Sequence, residues 1–85
     1  MTFETITLKS PMMVDEEIFR NLILLKLRFK DKLIDFGIGK TSAEAFINLE
    51  TSIQNYYNFL KHFQGSLIPS LQKDWELFEK YILIT

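Results

Sequence analysis

The chain has 85 residues, 47% hydrophobic and 14% aromatic, with a net charge of −1 and no cysteine. That length makes one small domain, residues 1–85, with apolar material enough for a core. The missing thiols exclude disulfides, thiolate metal sites and cysteine nucleophiles, and the near-zero charge supplies no bulk attraction to nucleic acid or an anionic membrane.

Residues 2–9, TFETITLK, are rich in Thr, Ile and Phe and are expected as a short strand with Ile6 and Leu8 on one face. Its backbone needs a partner, either the β-prone C-terminus at residues 81–85 or the same strand of a second copy. The opening residues lack a basic region followed by an apolar run, and no stretch of about 20 apolar residues occurs later in the chain. A soluble, cytoplasmic protein without a membrane span is the expectation.

Residues 11–36 are expected as the first helix, either with Ser10 as N-cap and Pro11 in the first turn or with Met12 and Met13 in a turn and Asp15 as the cap. On a helical wheel its apolar side chains fall into two stripes: Ile18, Leu22, Leu25, Phe29, Leu33 and Phe36, then Phe19, Ile23, Leu27 and Ile34. Gly37 is placed to end this helix in the left-handed conformation. Thr41 and Glu44 form a capping box for a second helix over 41–64, where Phe46, Leu49, Ile53, Tyr56, Leu60 and Phe63 recur at alternating spacings of three and four. Ser66 is expected to cap a third helix over 66–82, carrying Leu71, Trp75, Phe78 and Ile82 on one face. The expected fold class is therefore mainly α: a three-helix antiparallel bundle with a short N-terminal β-strand, and a second copy as the candidate to complete it.

No motif specifies a chemistry. Gly37-Ile38-Gly39-Lys40-Thr41-Ser42 looks like a fragment of a phosphate loop, but the glycine such a loop needs at position 34 is Ile34. His62 has neither a catalytic partner nor companions at metal-ligand spacing. Lys26, Arg28, Lys30, Lys32 and Lys40 concentrate positive charge in mid-chain, with Asp31 and Asp35 offsetting part of it, and read as a solvated face. No catalytic, cofactor-binding or metal-binding residue is assigned, and no enzyme is expected.

The second apolar stripe is what remains after the bundle closes. Phe19, Ile23, Leu27 and Ile34, joined by Tyr57 as an aromatic flanking its own row, are the candidate interface for a homodimer or for another protein partner. The expected function is a small non-enzymatic interaction or regulatory module that self-associates. The alternative comes from the order strand, Pro11, helix, Gly37 turn, capped helix across residues 3–50, which resembles the ribbon-helix-helix family of dimeric DNA-binding regulators and antitoxins. The resemblance implies that Thr5, Thr7 and Lys9 touch bases. The first helix is about twice the length that family uses, and the slightly acidic chain carries one Lys on the strand, so nucleic acid ranks behind protein as the expected partner.

Overall fold

Met12 to Gly39 folds as three antiparallel strands, which overturns the expected first helix and with it the three-helix bundle. The protein, seen in a computed structural model that describes residues 3–84, is an α+β structure. Thr2 of the expected first strand and Thr85 of the C-terminal segment lie outside the described residues. In chain order the elements are β1 (Ile6–Leu8), β2 (Met12–Phe19), β3 (Leu22–Phe29), β4 (Lys32–Gly39), α1 (Ser42–His62), α2 (Pro69–Tyr81) and β5 (Ile82–Ile84).

The strands win because the same apolar residues also alternate. Ile23, Leu25, Leu27 and Phe29 share one face of β3 while Lys26 and Arg28 take the other, the period-2 pattern of a strand with two unlike faces. Where about half the residues are apolar, helical and strand periods both find matches, and the turns decide between them. Phe19-Arg20-Asn21 and Phe29-Lys30-Asp31 are two copies of one turn, ten residues apart. Each supplies a two-residue hairpin loop whose first residue has positive φ, 58° at Arg20 and 55° at Lys30. Asn and Asp at the second place suit such turns.

β2, β3 and β4 form a meander in that order, β2 pairing with β3 from Met12↔Phe29 to Phe19↔Leu22. β3 and β4 pair with one interruption: Leu27 lies opposite Asp35 but Arg28 lies opposite Leu33, so Ile34 is an extra residue in a β-bulge. β1 pairs antiparallel with β5, Ile6 opposite Ile84 and Leu8 opposite Ile82, so the N-terminal strand finds its partner within the chain.

α1 lies on the inner face of the meander, directly over β4, and glycine makes that approach possible. A Cβ at Gly37 would sit 2.4 Å from the Leu49 backbone nitrogen, and one at Gly39 would sit 2.4 Å from that of Ala45. These glycines lie inside a strand, where they admit a close neighbour, and do not end a helix. Thr41 does cap α1, its Oγ1 accepting from the Glu44 N–H at 3.1 Å. Ser66 does not cap α2; the helix begins after Ile68 with Pro69 in its first turn and no side-chain cap. The core between the layers is built from Leu25 and Leu27 of β3, Ala45, Leu49, Ile53 and Leu60 of α1, Trp75 and Phe78 of α2, and Phe3, Ile6, Leu8, Met12 and Ile82.

Candidate functional site: the outer face of the meander

Since opposite residues of an antiparallel pair point to the same side, the register defines two faces. Glu16, Val14 and Met12 of β2, Leu25, Leu27 and Phe29 of β3, and Asp35, Gly37 and Gly39 of β4 look toward the helices. The other side carries Met13, Asp15, Glu17 and Phe19, then Leu22, Leu24, Lys26 and Arg28, then Leu33, Phe36 and Ile38. No described element covers it. Met13, Phe19, Leu22, Leu33, Phe36 and Ile38 are six large apolar side chains exposed by 41–61%. Open antiparallel sheets normally present polar side chains on such a face.

The charges on this face are neutralised within it. Lys26 Nζ lies 2.7 Å from Glu17 Oε2 and holds that carboxyl below its ordinary value by hydrogen bond and charge. Arg28 Nε lies 2.5 Å from Asp15 Oδ2, an ionic contact not aligned as a hydrogen bond. Both pairs are diagonal across β2 and β3. Together they form a balanced polar band beside the apolar groups.

The inner side of β4 holds a second polar group. Asp35 Oδ1 accepts from Ser52 Oγ at 2.8 Å and from the Phe36 N–H at 2.8 Å, while its Oδ2 is buried with no hydrogen-bond partner among the described residues. Burial raises the Asp35 carboxyl above its ordinary value, and the two hydrogen bonds oppose that shift. Nearby, the Tyr56 hydroxyl donates to Asp74 Oδ2 at 2.5 Å, and Lys32 Nζ meets Asp74 Oδ1 at 2.5 Å. Burial and then the Asp74 carboxylate push the Tyr56 hydroxyl well above its ordinary value, so it stays a donor at neutral pH. This chain ties β4, α1 and α2 together. Ile34, Asp35, Ser52, Asn55 and Tyr56 line an open hollow of about 440 Å³ beside it. The group sets two hydroxyls on carboxylates, Ser52 on Asp35 and Tyr56 on Asp74, and among the described residues no three His, Asp or Glu side chains converge as metal ligands.

The residues singled out from sequence are dispersed. Phe19 lies at the far end of the outer face, 61% exposed. Ile23 and Ile34 are half-buried against the core, and Leu27 is wholly buried within it. Tyr57 packs its ring 5.5 Å from Trp75 and 6.4 Å from Phe78. Thr5 is engaged by α1: its N–H donates to Glu50 Oε2 at 3.2 Å and its Oγ1 accepts from Gln54 Nε2 at 2.5 Å. Thr7 is half-buried opposite Leu83, and Lys9 is exposed with its N–H donating to the Tyr81 carbonyl at 2.8 Å. The strand-then-helix order behind the ribbon-helix-helix resemblance is absent, because strands follow Pro11.

Sequence reasoning missed Met13, Leu22, Leu33, Phe36 and Ile38 as a group, since on a helix Leu22, Leu33 and Phe36 belong to the first stripe, which the bundle was expected to bury, while Met13 and Ile38 fall on the opposite side. The repeated aromatic-basic-Asn/Asp turn was the signal that could have found them. No protein-family model, curated protein or solved structure matches this chain. Among the described residues, no helix is long and apolar enough to cross a membrane.

Proposed function

We propose that this chain is a small interaction module without catalytic activity of its own, acting by association with a second copy through the outer face of the meander. The supporting observation is the set of six apolar side chains on a face that no described element covers. A second copy suits it because the Asp15–Arg28 and Glu17–Lys26 pairs leave the face neutral, so it neither repels itself nor calls for an oppositely charged partner. Stacked sheets interdigitate such faces about 10 Å apart.

The free edge of β2 is a poorer route to association. Asp15, Glu16 and Glu17 lie on it in succession, and pairing two such edges antiparallel would bring carboxylates together. Three strands about 4.8 Å apart and eight residues long at about 3.3 Å each give a footprint of about 14 by 26 Å, which belongs with the smaller, reversible interfaces. A cytoplasmic location remains part of the proposal, checked by cell fractionation.

Sedimentation over a concentration series tests the reading. The protein is expected to shift from monomer to dimer with rising concentration, and Phe36→Asp to stay monomeric with unchanged circular dichroism. A wild-type chain that is monomeric at every concentration overturns it, as does a Phe36→Asp variant that still dimerises.

A further inference from the structure

A different surface carries a charge pattern of its own. Where α2 crosses the end of β3 and the start of β4, Phe29, Leu77 and Tyr81 floor a groove of about 440 Å³, rimmed by Lys32, Lys73 and Lys80 with Glu76 as its one acid. The Phe29 and Tyr81 rings are in contact, their centroids 5.2 Å apart. Each carries a lysine: Lys30 Nζ is 5.5 Å from the Phe29 centroid and Lys80 Nζ 5.3 Å from that of Tyr81. Lys32 is paired with Asp74, but among the described residues no carboxylate lies within ion-pair distance of Lys30, Lys73 or Lys80. A chain of net charge −1 therefore gathers unpaired cations around an aromatic hollow.

We infer that this groove binds an acidic peptide segment of a partner protein, which sets one aromatic side chain on Phe29 and Tyr81 and its carboxylates against Lys73 and Lys80. Lysines are mobile point charges without the fixed fork of arginine, and they suit carboxylates on a flexible chain better than a rigid planar anion. The spacing narrows the ligand. Lys73 and Lys80 lie seven residues apart on one helix, about 10 Å along its axis at about 1.5 Å per residue. An extended peptide covers that distance in about three residues at about 3.3 Å each, so two acids three positions apart bracket the anchor. Glu76, one turn from either lysine, disfavours a third acid between them. The hollow is of ligand-pocket size yet open along α2, which fits a chain passing across it with one side chain inserted.

The test is an NMR titration of the full chain with the capped peptide Gly-Asp-Phe-Gly-Asp-Gly. Saturable shifts are expected at the amides of Phe29, Lys73, Leu77, Lys80 and Tyr81, weakening with added salt. The double substitution Lys73→Glu with Lys80→Glu is expected to weaken binding about tenfold or more. Both lysines are exposed, so the fold should survive. Peptides with Ala for the Phe, or with Lys for both Asp residues, should give no saturable shift. Undiminished binding by the double variant, or shifts confined to the outer sheet face, overturns the inference. Tighter binding of inorganic phosphate or a short oligonucleotide at the same amides also overturns it, in favour of a phosphate site. Phe36→Asp leaves these residues untouched, so failure here and failure of the self-association reading are told apart.

Discussion

Gly37 carries more of this structure than its missing side chain suggests. A methyl group there meets the α1 backbone at Leu49, and backbone cannot rotate away as a side chain can. Gly37→Ala is expected to cost about 1–3 kcal/mol, toward the upper end, read as a lowered urea midpoint. A midpoint unchanged from wild type would mean that α1 can lift off β4 without loss. Two residues before it, Asp35 makes a pH-dependent contribution. Its folded-state carboxyl is raised, chiefly by burial, so the native state holds that proton more tightly than the unfolded chain. Stability from this group is therefore complete at acid pH and declines as pH climbs from the ordinary Asp range through the raised folded value. In Asp35→Asn the amide oxygen still accepts from Ser52 and Phe36, and no buried charge forms. The variant is expected to exceed wild type at neutral pH, with the gap closing below the carboxylate range. Denaturation curves at both pH values check this, and a gap independent of pH would contradict it.

The two hairpin turns are built alike and strained alike. Arg20 and Lys30 hold left-handed φ values that cost a side-chain-bearing residue about 1–2 kcal/mol, while glycine gives back about 0.5–1 in chain entropy. Arg20→Gly is expected to stabilise by about 0.5 kcal/mol. Lys30→Gly should gain less: both cations lie 5.5 Å from a ring centroid, but Phe29 is half-buried where Phe19 is 61% exposed, and a cation–aromatic contact is worth more where it is less solvated. Melting curves that reverse this order would show the cation–aromatic contact at Arg20 and Phe19 to be the stronger. These turns also explain what was legible in the chain. α1 was readable because Thr41 and Glu44 mark its start and Leu49, Ile53 and Leu60 repeat at a helical period that no strand pattern imitates. Residues 12–39 were not, because neither turn contains glycine and the apolar residues satisfy both periods. The glycines that do occur, Gly37 and Gly39, served packing and so misdirected the reading toward a helix end.

Across the whole molecule, the layers run from helices, through a shared core, to a sheet whose outer face no described element covers. The core rows of α1 and α2 were visible as sequence periodicity, whereas the outer face arises only when three strands pair and could not be read from any one of them. Its composition follows from the bulge at Ile34. Had β4 continued in the register of its turn, Leu25 would oppose Phe36 and Ile23 would oppose Ile38, turning both bulky side chains toward α1 and both glycines toward solvent. One extra residue reverses the parity of the rest of the strand. Burying Gly37 and Gly39 and exposing Phe36 and Ile38 are thus a single event, and a sequence that kept α1 this close could not have hidden that apolar face by register alone.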